Sequence, residues 1–149
     1  QVFLTSLQSP ISPINSAIRD LGVKRAVIDS VTQFQTLTRD PVELRAYYNH
    51  LINGLRREGI TSLLLSEDSG PDFVRGDRGR LAFVVDSVIL LRYVEIDSVI
   101  QRAVAVLKTR GSDHDSNIRR FEIRRGGISV LEPFRDREGL LTGISRRTS

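Results

Sequence analysis

The 149-residue chain has no cysteine, which excludes a disulfide framework and any cysteine-ligated metal site. Its two histidines, His50 and His114, are too few to build a structural zinc centre by themselves. No apolar run approaches the roughly 20 residues that a membrane helix needs, and the N-terminal QVFLTSLQSP has neither the basic start nor the long apolar core of a signal peptide. Together these absences fit a soluble, cytoplasmic protein with no membrane partner. The chain also opens without methionine, on the strand-like VFLTSL, which suggests that something before it has been cut or processed away.

Lysine is scarce as well. Only Lys24 and Lys108 occur, following Val23 and Leu107, so the glycine-lysine step of the phosphate-cradling loop G-x-x-x-x-G-K-[ST] is missing. No Ser-His-Asp or Cys-His pattern for nucleophilic catalysis is visible either. His50 falls within a helical pattern, as a polar-flank residue.

What is present suits one globular domain, residues 1–149, with a C-terminal extension over residues 131–149. Its length and 40% hydrophobic content are those of a single ordinary core. The net charge of +4 and pI near 10.1 come from arginines interspersed with acidic residues. Only IRRFEIRR and SRRTS concentrate the excess. Such a field favours phosphate-bearing partners in general, or is simply a solvated surface.

Two helices are marked by their ends. In SPINSAIRDLG, Ser12 caps, Pro13 opens, and Ile14, Ala17, Ile18 and Leu21 share a face before Gly22. In DPVELRAYYNHLINGLRREG, Asp40 caps, Pro41 opens and Glu43 completes a capping box; Leu44, Tyr47, Tyr48, Leu51, Ile52 and Leu55 form the apolar stripe before Gly59. Each helix leads into a short apolar run, RAVIDS and then ITSLLLSED, with the character of a parallel strand buried on both faces. The alternation implies an α/β fold with a mostly parallel sheet flanked by helices. Ligands of such sheets bind at the strands' carboxyl ends, where Asp29 and Glu67 stand.

Further on, SEDSGPDFVRGDRGRLAF reads as an exposed loop. DSVILLRYVEIDSVIQRAVAVLKTRG reads as two strands joined at EID, too short a joint for anything but an antiparallel hairpin. IRRFEIRR turns at Gly126 and Gly127 into ISVLEPF, a second hairpin.

Two constellations carry chemistry. KRAVIDS is an apolar strand ending in Asp29, the Walker B pattern in which a carboxylate holds magnesium, through water, beside nucleotide phosphates; strands of any α/β protein also end this way. In LKTRGSDHD, strand alternation sends Lys108 and Arg110 to the same side, about 7 Å apart, and Gly111 frees the turn. Lysine gives a point charge and arginine a fork for phosphate oxygens. The alternative is a solvated basic pair flanking a turn.

At this point the chain resembles a known family: the KaiC-type ATPases of the RecA superfamily, the group that includes the circadian clock ATPase. The resemblance is carried by GVKRAVIDSVTQF, LRREGITSLLLSED, DSVILLRYVEID and above all RAVAVLKTRGSDHDSNIRRFEIRRGGISVLEPF, whose family counterpart reads K-x-R-G-S-x-H, then an F-x-I strand and a G-G-I turn. GLLTGISRR also looks like a family ending.

The resemblance implies the C-terminal part of a RecA-like domain, without its P-loop portion, in a subunit of an ATP-hydrolysing ring, commonly a hexamer. It implies ATP and magnesium as cofactors, with Asp29 as the Walker B carboxylate and magnesium ligand in cis. Lys108 and Arg110 would act in trans on the neighbouring subunit's phosphates, Arg110 as the arginine finger, with Thr109, Ser112 and His114 around the nucleotide. The family's P-loop and its paired glutamates lie upstream of anything in these residues, and KTRGSDHD has no adjacent Ser-Thr pair before it on which the clock protein's phosphorylation could be placed.

Two rivals stay open. One is a non-enzymatic interaction or regulatory module that lacks a P-loop. The other is a nucleic-acid-binding protein of the RecA type, using TQFQTLTR and the loop that holds Arg75, Arg78 and Arg80, although acidic residues interrupt those arginines and only Phe73 offers a stacking face.

Overall fold

The computed structural model describes residues 20–38, 40–67, 80–142 and 146–147. The expected N-terminal strand lies outside them, as do most of the helix expected over residues 12–22 and the loop carrying Phe73, Arg75 and Arg78. Of that helix only the end is described, where Gly22 turns with φ of 59°. The chain divides into two compact units, Gln1–Ser69 and Gly70–Ser149.

In the first unit, strand β1 (Arg25–Asp29) pairs in parallel with β2 (Thr61–Leu65), from Arg25 opposite Thr61 to Asp29 opposite Leu65. Parallel neighbours need a long crossover, here a 3-10 turn (Val31–Thr36) and helix α1 (Pro41–Arg57). Asp40 caps α1 by accepting from the amide of Val42 at 2.8 Å. The expected capping box is relayed. Rather than reaching the Asp40 amide itself, Glu43 Oε2 accepts from the hydroxyl of Thr38 at 2.6 Å, and that hydroxyl accepts from the Asp40 amide at 3.0 Å.

The apolar stripe of α1 is buried as its spacing predicts, at Tyr48, Leu51, Ile52 and Leu55. Tyr48 meets Phe34 edge-on, with ring centroids 6.0 Å apart, and its hydroxyl donates to the carbonyl of buried Val31 at 3.3 Å. Burial pushes the Tyr48 phenol above its ordinary pKa, partly offset by a hydrogen bond with Gln35.

The reading of β1 and β2 as buried on both faces is corrected. Exposed and half-buried residues alternate along both strands, and the paired Val27 and Leu63 are 67% and 55% exposed. An apolar run makes both faces fit for burial, but a second covering layer is a tertiary property that the run does not encode.

The second unit holds a four-stranded antiparallel sheet in the order β3 (Ser87–Ile96), β4 (Val99–Thr109), β5 (Arg119–Arg124), β6 (Gly127–Pro133). The short helix α2 (Arg80–Val84) precedes it. Both expected hairpins are present. The first turns on Asp97 and Ser98, which have φ of 50° and 63°, the double left-handed conformation of the tight turns that match strand twist. Arg137 fixes this turn by donating to Asp97 Oδ2 at 2.6 Å.

One face of the β3–β4 ribbon forms the core with Val94, Ile96 and Ala103, closed by Leu140, Ile118 and Phe134. The residues after β6 therefore fold back on the sheet: Arg92 donates to the carbonyl of Leu141, and β7 (Arg137–Glu138) pairs with β8 (Arg146–Arg147). The described residues thus show the mixed α/β class and the C-terminal antiparallel hairpins expected from the sequence.

Candidate functional site

In the first unit, Asp29 ends β1 with its side chain exposed, followed by a cis peptide to Ser30. Glu67 follows β2. Its amide donates to the Thr32 hydroxyl at 3.0 Å, which ties together the segments leaving the carboxyl ends of both strands. This is where ligands of parallel sheets bind. An exposed carboxylate in such a place suits magnesium, which keeps several waters and takes one or two protein carboxylates. No cluster of three or more potential metal ligands occurs among the described residues, so the donor set here is not that of a site closed by protein alone.

In the second unit, the end of β4 carries Lys108, Thr109 and Arg110. Ile89 pairs with Val106 and Val88 with Lys108, so Leu107 is an extra, unpaired residue. A bulge of this kind re-aims the side chains beyond it. Lys108 and Arg110 both turn toward α2. The Lys108 ammonium donates to the carbonyls of Ala82 at 2.6 Å and Val85 at 2.8 Å. These carbonyls lie in and just after the last turn of α2, the negative end of a helix.

Arg110 is held differently. Its Nη2 reaches the carbonyl of Phe83 at 3.4 Å and its Nη1 lies 3.7 Å from Asp86 Oδ1. Both are long contacts for such groups. The arginine side chain is 56% exposed.

Beyond Arg110 the chain turns at Gly111, with φ of 80°, and Ser112 and His114 are exposed. Asp115 anchors the far side of this tip. It accepts from the Asn117 amide at 2.9 Å, and its second oxygen accepts from Arg119 Nε and Nη2, both at 2.7 Å. The backbone hydrogen bond from Asn117, followed by the bonds from Arg119 and the Asn117 side chain, holds the Asp115 carboxyl below its ordinary pKa.

Lys108, Arg110, Ser112 and His114 therefore belong to one strand end and its turn, while Asp29 belongs to the first unit. Of the arginines in the proposed nucleic-acid loop, Arg75 and Arg78 lie outside the described residues. Sequence reasoning missed α2 and Asp86 as partners of the basic pair. Nothing local signals a contact between Lys108 and residues 23 and 26 positions earlier. It also missed Asp115, for which the signal was available: Asp-x-Asn is a side chain set to bond a backbone amide two residues on.

Comparison with known proteins bears on what this strand end does. A profile of the family described as "ATPase: KaiC" matches residues 4–135. Circadian clock protein KaiC3 of Synechocystis is 28% identical over 155 aligned residues, covering 97% of this chain and 29% of the relative. The circadian clock oscillator protein KaiC of Picosynechococcus is 37% identical over 142, covering 95% and 27%. A UPF0273 protein of Pyrococcus horikoshii is 34% identical over 127, covering 85% and 50%. The chain thus spans under a third of the length of these two clock proteins and half that of the archaeal relative.

Proposed function

The chain belongs to the KaiC family of ATPase domains, and on that premise we propose that it is the part of a ring subunit that offers Arg110, with Lys108, to ATP held by the neighbouring subunit. Asp29 serves the ATP of its own subunit as the Walker B carboxylate. The observation that carries this reading is the unequal hold on the two cations. Arg110 stands exposed at a strand end, tethered only by contacts of 3.4 and 3.7 Å, so it leaves them at little cost.

A finger has three requirements: permanent charge, a forked donor, and freedom to reach. Arginine supplies the first two, and the open turn at Gly111 supports the third. As the transferring phosphoryl group separates, negative charge spreads over its oxygens. A guanidinium placed there stabilises that charge more than it stabilises the ground state, and such fingers are worth about 10³–10⁵ in turnover. Magnesium, when bound, neutralises charge between the phosphates. The task of Asp29 is to hold the metal's water shell in place from the end of β1. Thr109, Ser112 and His114 line the approach to the sugar and base, and the assembly is a hexamer acting in the cytoplasm.

Arg110→Ala in the full-length protein is expected to keep nucleotide affinity and lower ATP turnover by orders of magnitude. Undiminished turnover would sink the assignment.

A second reading, an interaction module without catalysis, is favoured by one observation. Neither lysine of the chain follows a glycine, so these residues contain no phosphate cradle of their own.

A further inference from the structure

We propose that Thr32 is a positioning residue for the site at Asp29: its hydroxyl pins the main chain at Glu67, so that the exposed Glu67 carboxylate shares the water shell of the magnesium ion that Asp29 serves. This rests on the reading of Asp29 above for what the carboxylates hold, and on the geometry alone for what Thr32 does.

The ladder between β1 and β2 ends where Asp29 lies opposite Leu65. Glu67 stands two residues further on, past the end of β2. Its main chain is held there by the bond from the Glu67 amide to the Thr32 hydroxyl, at 3.0 Å. That hydroxyl is a fixed post. Val31 before it is fully buried, and Phe34 after it is buried against the ring of Tyr48, whose hydroxyl donates to the Val31 carbonyl. The Gln33 amide closes the turn around Thr32 by donating to the Ser30 carbonyl at 3.3 Å. Thr32 therefore cannot shift without opening the core of the first unit.

The side chains divide the work. Asp29 and Glu67 are exposed, while Thr32 is half-buried. A hydroxyl that accepts from an amide fixes a position and brings no net charge; a carboxylate brings charge to wherever its main chain is placed. Glutamate is long and flexible, and a free main chain would spread its carboxylate over a wide volume. Magnesium keeps several waters and takes one or two protein carboxylates, and groups that hold those waters tune the site. Glu67, pinned beside the end of β1, supplies a second such acceptor next to Asp29.

The test begins with hydrogen exchange on this chain. Thr32→Val keeps the shape of the side chain and removes the hydroxyl. In it the Glu67 amide is expected to exchange about tenfold faster or more, while the amides of α1 stay protected and show that the unit is folded. Thr32→Ser, which keeps a hydroxyl, should retain slow exchange, and Glu67→Gln, which keeps the amide, should leave it unchanged. Unchanged exchange in Thr32→Val overturns the proposal.

The second arm is the magnesium dependence of turnover by the full-length protein. Glu67→Gln and Thr32→Val should each raise the magnesium concentration for half-maximal turnover by about tenfold, with KM for ATP unchanged at saturating magnesium; Thr32→Ser should stay near wild type. Thr32→Val should add nothing once Glu67 is glutamine, because it acts through Glu67. A wild-type magnesium response in Glu67→Gln, or a further shift in the double variant, overturns the proposal. If Asp29→Asn leaves the magnesium response unchanged while Glu67→Gln shifts it, the reading of Asp29 fails and that of Glu67 and Thr32 stands.

Discussion

The backbone amide of Arg110 donates to the carbonyl of Asp86 at 2.8 Å, closing the open end of the β3–β4 hairpin one residue beyond its last pair, Ser87 and Thr109. The position of Arg110 is thus fixed by its main chain, while its side chain remains loosely held. Arg110→Ala keeps that amide. Its stability in denaturant should stay within about 0.5 kcal/mol of wild type, as for surface changes that break no special feature, so that any loss of turnover reports on chemistry and not on folding.

Calorimetric titration of this chain with magnesium-ATP should show no saturable binding at micromolar nucleotide. On the proposed reading these residues bring a carboxylate and a finger to a shared site, but no G-x-x-x-x-G-K-[ST] motif occurs among them to cradle the phosphates. Micromolar binding by the isolated monomer would contradict a shared site.

Asp29 is exposed at the end of β1, and its replacement by asparagine should cost no more than about 0.5 kcal/mol of stability. In the full-length protein, Asp29→Asn should raise the magnesium concentration needed for half-maximal turnover and lower the maximum. A magnesium titration of the ATPase identical to wild type would remove Asp29 from the site.

Stability of the first unit should depend on α1 in two separable ways. Leu51→Ala opens a cavity at a residue that is 1% exposed and should cost about 2–5 kcal/mol. Asp40→Ala removes the cap on the Val42 amide and frees the Thr38 relay, for about 1 kcal/mol. Equilibrium denaturation measures both. A cap that costs as much as the core change would mean that α1 is held chiefly by its end.

The tip that carries Ser112 and His114 should loosen in acid. Asp115 has a depressed pKa in the fold, so its contribution is present above the unfolded value, near 4, and is lost as pH falls through the lower folded value. The Asp115 carboxyl carbon should titrate below an ordinary aspartate, with exchange of the Asn117 amide rising over the same range. A midpoint at or above 4 would contradict the bonding seen here.

Much of this fold was legible because its signals are local. Asp40, Pro41 and the Tyr48–Leu51–Leu55 spacing specify α1 from adjacent residues. The two-residue joint between β3 and β4 leaves a hairpin as the one connection short enough. What was illegible depends on distance or on layers. The Thr38 relay diverts Glu43 from its expected partner, and whether the face that holds Val27 and Leu63 is covered depends on layers outside the strands themselves; among the described residues both stay exposed. The site was half legible. Side-chain alternation sends Lys108 and Arg110 the same way, but their unequal hold comes from α2, which lies more than 20 residues earlier in the chain.

The most direct test of the central claim, that Arg110 works on a neighbour's nucleotide while Asp29 works on its own, is turnover by mixed rings of two full-length variants. Asp29→Asn and Arg110→Ala rings should each be nearly inactive. In rings assembled from equal amounts of both, half the sites keep Asp29 and half of their neighbours offer Arg110, so about a quarter of wild-type turnover should return. A mixture no more active than the average of the two separate variants would contradict action in trans.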